Sequence, residues 1–432
     1  MRWQQRGLFV LGGVMVGVVA VVFASLANYA QQRFELLLDH GRFLPLLVTP
    51  LGFALCVYAA NRWFRGSQGS GIPQVIVAHR LTDVAARRRL VSVPLALGKI
   101  ALTSVGLLCG ASTGREGPTV QVGAALMLAM GRLSPRKQPG LIVAGAAAGV
   151  AAAFNTPIAG IIFAIEELAR TFERRTSGLV VATVVAAGSV SLVLVGNYTY
   201  FGTTADTLHG AAAWGAIPLC GIGGGLLGAL FSKLLVAVAT GSRGLAAHAR
   251  RTPVLFAAAA GFVVAITGLV SGESTYGTGY SQVSGALGAA APLPLLFMPL
   301  KFIATLCSSM TGIPGGIFSP SLAIGAGLGA EVARLFSGVD VGAVILLGMV
   351  GYLTGVVQAP ITAFVIVTEL TNNRQMLMPL MVTALLAYGT SRVVSPDGVY
   401  HALARHLMTG LSPAKTLQAS PAEPSARPAV VS

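Results

Sequence analysis

Apolar stretches of about 20 residues recur along the chain, each matching the length a helix needs to cross a hydrocarbon layer of ~30 Å. A transmembrane barrel would instead show short segments of alternating apolar and polar positions. The first stretch, Gly7 to Ala30, follows Arg2 and Arg6. Its basic flank is like that of a signal peptide, but the run exceeds the usual apolar core of roughly 7–15 residues, so it is assigned as the first membrane helix. Most later stretches are interrupted by Gly and Pro. A broken helix exposes backbone groups that lipid cannot satisfy, so these breaks must be buried in protein or line an aqueous cavity. The pattern predicts an all-α, multi-span integral membrane protein with broken helices.

The chain also repeats itself. GAAAGVAAAFNTPIAGIIFAIEEL, Gly145 to Leu168, aligns with GMVGYLTGVVQAPITAFVIVTEL, Gly348 to Leu370, apart from one extra Glu in the first copy. Pro157 pairs with Pro360 and Glu166 with Glu369, both 203 residues apart, while Gly114–Pro118 (GREGP) and Gly316–Pro320 (GIFSP) match at a spacing of 202. Two matches at nearly one spacing argue for duplication. The expected organisation is a first membrane half over 1–201, a second, inverted half over 202–410, and a tail over 411–432 rich in Pro, Ala and Ser and read as disordered. Repeats of this kind commonly place a transporter's site at their interface, near the bilayer midplane.

Composition agrees with a membrane bundle: 54% of the 432 residues are hydrophobic and only 10% charged, where a soluble domain carries about 25%. The net charge of +15 is concentrated in clusters such as Arg87–Arg89 and Arg250–Arg251. These are read as cytoplasmic loops under the positive-inside rule, so no nucleic-acid partner is expected. Cys56, Cys109, Cys220 and Cys307 lie in apolar surroundings without metal-ligand spacing and are assigned to packing. The six His residues, His401 and His406 among them, are assigned to loops or polar ends, and no metal or cofactor is expected. A G-x-G-x-x-G match at Gly223–Gly228 lies in an all-apolar segment with no acidic ribose partner, and is read as helix packing.

Three breaks combine Gly, Pro and polar side chains: Gly69-Ser70-Gly71-Ile72-Pro73, Gly114-Arg115-Glu116-Gly117-Pro118, and Gly315-Gly316-Ile317-Phe318-Ser319-Pro320. Each precedes or opens an apolar helical segment, with Pro suited to the first turn. A helix start leaves about four amide N–H groups unpaired and carries roughly half a positive charge. Several such starts aimed at one place make an anion site.

With these motifs, the FNTPIAGIIFAIEEL segment and the late VYHALARHL segment containing Tyr400, the chain resembles the CLC family of chloride channels and chloride/proton antiporters, from Gly69 to about Arg405. The resemblance implies that the hydroxyls of Ser70 and Tyr400, with the amides of Ile317 and Phe318, hold a central chloride. It further implies an inner site at the amides of Gly69 and Ser70 and an outer one at those of Arg115 and Glu116. Glu116 would be the gating glutamate and outer proton carrier, Glu167 the inner proton acceptor that antiporters generally have, and Lys99 a buried charge adding positive potential without touching the ion. The residues alone leave other roles open. Ser70 is also a good N-cap, Tyr400 a candidate interfacial belt residue, Glu116 a partner for Arg115, Glu167 a partner for Arg170 or Arg174, and Lys99 a snorkelling side chain.

The resemblance therefore implies an antiporter, not an enzyme, moving chloride against protons through a lipid bilayer. It also implies a homodimer in the cell (inner) membrane, and Ser70 favours chloride over nitrate. A passive voltage- or pH-gated channel of the same family is the alternative. An intramembrane hydrolase using Ser70 and a His is a distant one, since no H-E-x-x-H occurs.

Overall fold

The computed structural model describes residues 3–131, 138–169, 174–196, 198–241, 243–288 and 291–411. The tail beyond residue 411, Arg170 and the side chain of Arg174 lie outside the described residues. The first half contains α1 (Trp3–His40), α2 (Pro45–Arg62), α3 (Ile72–Arg80), α4 (Val84–Leu90), α5 (Val93–Leu108), α6 (Glu116–Met130), α7 (Gln138–Phe154), α8 (Pro157–Phe163) and α9 (Arg174–Val195). The second contains α10 (Ala216–Thr240), α11 (Leu245–Arg251), α12 (Pro253–Val270), α13 (Tyr280–Leu287), α14 (Phe297–Met310), α15 (Phe318–Ala333), α16 (Val341–Val357), α17 (Pro360–Thr371), α18 (Leu377–Val394) and α19 (Val399–Gly410). Among the described residues, six helices are long and apolar enough to cross a membrane. Large apolar side chains such as Val193 (81% exposed) and Val393 (87%) point outward. Exposure of this kind suits lipid contact.

Duplication is visible in the packing. α6 lies on α7 as α15 lies on α16, α1 on α9 as α10 on α18, and α7 on α9 as α16 on α18. The close pairs meet through glycine. A Cβ on Gly123 would stand 2.2 Å from the Gly145 carbonyl oxygen, and one on Gly145 equally close to that of Gly123. Gly325 and Gly348 repeat this mutual contact in the second half, at 2.5 and 2.2 Å. The G-x-G-x-x-G match is packing as expected: Gly224 and Gly228 of α10 face the backbone of Gly351 and Gly355 in α16. Gly348→Val should therefore force α15 from α16 and cost about 3 kcal/mol. Gly389, with open space around it, should tolerate Ala with a gain of up to ~1 kcal/mol. Thermal unfolding of the two variants in detergent checks this contrast.

The halves also exchange equivalent contacts. Glu166 accepts from the amides of Ile361 and Thr362 (3.1 and 2.7 Å) at the start of α17, and Glu369 accepts from those of Ile158 and Ala159 (3.2 and 2.7 Å) at the start of α8. Each carboxylate so caps the other half's helix, where both the orphan amides and the helix dipole favour it. When i contacts j′ and i′ contacts j, the two units are related by a pseudo-two-fold axis.

Candidate functional site

The three Gly-Pro breaks converge. Gly114 and Gly316 form a mutual bridge, each amide donating to the other's carbonyl (2.8 and 2.6 Å), so the segments opening α6 and α15 are tied together. Thr113 Oγ1 adds a bond to the Gly316 carbonyl at 3.0 Å. The third break joins through Gly315, whose amide donates to the Gly69 carbonyl at 3.1 Å. At Gly117 a Cβ would lie 3.0 Å from Ser70 Cβ and 3.3 Å from Gly316 Cα. A Cβ there would be tighter than ordinary contact, which suits glycine to the crossing.

Glu116 is fully buried at the start of α6, and its Oε1 accepts a 2.7 Å hydrogen bond from Ser319 Oγ in the first turn of α15. Among the described residues Oε2 has no hydrogen-bond partner, and it lies against Gly114, where a Cβ would be only 2.2 Å away. Pairing with Arg115 is not found. The Arg115 guanidinium donates instead to the Ala24 carbonyl and Asn28 Oδ1 of α1, both at 2.6 Å.

Tyr400, the second residue of α19, is 1% exposed, so it is no belt residue. Its ring rests 5.9 Å from that of Phe318, which also meets Phe163 (5.8 Å) and Phe154 (6.4 Å). These rings draw α7, α8, α15 and α19 together. Among the described residues the Tyr400 hydroxyl has no hydrogen-bond partner, and a buried unpaired hydroxyl costs about 1–3 kcal/mol. Tyr352 shares that state, but it sits in an aromatic wall with Phe231 and Phe302. What distinguishes Tyr400 is its surroundings, since its ring packs on Phe318 at the start of α15 and its chain neighbour His401 meets Glu167.

Glu167 belongs to a π-helical turn, Ala164–Ala169. It is the residue the first copy has in excess, and an inserted residue in a helix is accommodated by just such a turn. The turn separates two adjacent carboxylates: Glu166 reaches α17, while Glu167 is 1% exposed, with Oε1 3.4 Å from His401 Nε2. His401 Nε2 also lies 3.0 Å from the Glu167 carbonyl oxygen. The assignment of His401 to a loop or polar end is thus corrected. It is buried beside Tyr400, because positions 400, 401 and 404 share the inward face of α19, whereas His406 is exposed as expected.

Lys99 does not snorkel. It is completely buried in α5 and donates to the Gly69 carbonyl at 2.7 Å, one residue from Ser70. Of the expected inner pair of amides, that of Gly69 donates to the Gly312 carbonyl at 3.2 Å. Ser70 Oγ accepts from the Ile72 amide at 3.3 Å, but the N-cap of α3 is Gly71, so Ser70 lies one residue before the capping position. A hydroxyl that accepts in this way can still donate its proton. Ile317 and Phe318 are buried, and their amides open α15 without intrahelical acceptors.

The sequence reading missed a third repeat. Gly277-Thr278-Gly279, followed by Gln282-Val283, stands 208 residues after Gly69-Ser70-Gly71 with Gln74-Val75. Thr278 Oγ1 accepts from the Tyr280 amide as Ser70 does from Ile72, and buried Lys301 donates to the Gly277 carbonyl (2.8 Å) as Lys99 does to Gly69. Here Gln31 of α1 covers the motif, its Oε1 3.4 Å from the Thr278 amide. A cavity of about 320 Å³ adjoins it, lined by Gln31, Asn28, Glu35, Arg115, Tyr200 and Thr278 among others. Among the described residues, no group of three or more His, Cys, Asp or Glu is arranged to hold a metal ion.

A duplicated helical membrane protein whose broken helix starts meet around a buried carboxylate and an unpaired phenol is, by fold and site, built for small anions. Residues 51–392 match the family model described as voltage gated chloride channel, and the chain belongs to that family, the CLC proteins. It is 31% identical over 417 residues to the H(+)/Cl(-) exchange transporter ClcA of Yersinia pestis, covering 90% of this chain and 85% of that one. The ClcA of Vibrio cholerae is 30% identical over 419 residues, with coverage of 92% and 88%. A slow cyanobacterial Cl-/H+ antiporter has a similar crystal structure (TM-score 0.80, 24% identity, 95% of this chain and 99% of that one). A CLC-type fluoride/proton antiporter is similar too (TM-score 0.78, 22% identity, 93% and 99%), which bears on fold alone.

Proposed function

We propose that the protein is an antiporter that exchanges chloride for protons across the cell (inner) membrane. One observation carries the reading: the fully buried carboxylate of Glu116 opens α6 where the segments preceding α3, α6 and α15 are tied together, with the buried Tyr400 ring packed on Phe318 at the start of α15. The chloride would be held by the Tyr400 and Ser70 hydroxyls and the amides of Ile317 and Phe318. Neutral donors of this kind can replace a hydration shell and still release the ion. Lys99, behind the Gly69 carbonyl, adds positive potential without trapping the halide. Ionised Glu116 occupies the outer position at the start of α6; once protonated it loses its charge and yields to a chloride. Glu167 passes protons from the opposite side. An acid that is both anion mimic and proton carrier makes each flux depend on the other.

Reconstitution into liposomes tests the reading. An imposed chloride gradient should drive protons uphill, and nitrate should support markedly less coupled flux than chloride. Chloride movement without protons would mean a passive channel, and equal coupled flux of nitrate would contradict the role of Ser70. Two copies are expected to pair, each with its own pathway. Crosslinking in bilayers that traps only monomers would contradict the dimer.

A further inference from the structure

Ser319 has no role in the reading above, yet it makes the one hydrogen bond to the Glu116 carboxylate found among the described residues. Donor and acceptor are both buried, 2% and 0% exposed. The opposite oxygen, Oε2, is held only by fit, in the notch left by the missing side chain of Gly114. Arg115, the chain neighbour of Glu116, lines the 320 Å³ cavity. The carboxylate therefore rests on one directional contact.

A hydroxyl bonded to a carboxylate makes a charge-assisted hydrogen bond, roughly twice as strong as the bond the same hydroxyl makes to a neutral acid. The contact therefore holds Glu116 while it is ionised and weakens when a proton arrives. We propose that Ser319 is a positioning residue, a hydroxyl latch that sets how strongly the ionised Glu116 carboxylate competes with chloride for the place where α6 and α15 begin. The inference rests on the antiport reading, because it needs Glu116 to be the competing group.

The test is chloride-dependent flux through the full chain in liposomes, recorded with proton movement, for Ser319→Ala, Ser319→Thr, Gly114→Ala and the pair Ser319→Ala with Glu116→Ala. Loss of a charge-assisted bond should let chloride compete about tenfold better. Ser319→Ala should thus lower the chloride KM about tenfold, with maximal rate changed less than about twofold, and should move fewer protons per chloride. Ser319→Thr, which keeps the donor, should restore the wild-type KM. Gly114→Ala leaves Ser319 intact but pushes out Oε2, and should lower KM in the same direction, which keeps the idea testable should the Thr variant fail to fold. In the Glu116→Ala background, Ser319→Ala should do nothing further. If Ser319→Ala keeps the wild-type KM and proton ratio while Glu116→Ala abolishes proton movement, the latch is wrong and antiport stands. A KM shift of equal size in the Glu116→Ala background also overturns the latch, since Ser319 would then act on the anion directly. Persisting proton coupling in Glu116→Ala defeats the underlying reading instead.

Discussion

Liposomes carrying Glu116→Ala are expected to pass chloride without moving protons. The carboxylate is fully buried between two helix starts, where an acid is costly and, among the described residues, has no hydrogen-bond partner other than the Ser319 hydroxyl. Removing it leaves one hydroxyl without an acceptor, a loss of about 1 kcal/mol that a bundle of this size withstands. The effect on transport is far larger. With the acid gone, nothing displaces the ion from the outer position in step with a proton, so proton uptake should fall to the leak of protein-free vesicles while chloride flux persists. Simultaneous chloride-electrode and pH recordings check this, and retained uphill proton movement would refute it.

Glu167→Gln is expected to have the same signature from the other side. The substitution keeps the shape of the side chain and its contact with His401, but the amide cannot carry a proton. Chloride flux should stay within about a factor of two of wild type, as Glu167 is not assigned to touch the ion, while proton movement is lost. Loss of both fluxes in a folded variant would make Glu167 part of the anion path. Unchanged coupling would remove it from the proton path altogether.

How far these roles were legible in the sequence differs from residue to residue. The duplication was plain, because Pro157 and Pro360 are fixed by helix starts, and Glu166 and Glu369 by the helices they cap across the interface. Even the π turn was foreshadowed, as the single extra Glu in the first copy is the residue the turn absorbs. The Thr278 repeat went unseen because Thr replaces Ser, Tyr280 replaces Ile72 and Ser281 replaces Pro73. Lys301, 202 residues after Lys99, would have disclosed it. His401 misled because Arg405 and His406 make its neighbourhood look polar, although its helical spacing from Ala404 puts it on the inward face. Ser319 and Arg115 are of another kind. Which partner each side chain takes depends on the approach of α15 and α1 to the start of α6, and no local pattern encodes that approach.

The central claim is that a dehydrated halide sits where Ser70, Tyr400 and the amides of Ile317 and Phe318 face one another. Bromide substitution with anomalous diffraction tests it most directly. The account predicts a peak within hydrogen-bonding distance of the Tyr400 hydroxyl, joined in Glu116→Gln crystals by a second peak near the carboxylate position. An empty centre beside Tyr400, with bromide found only elsewhere, would contradict it.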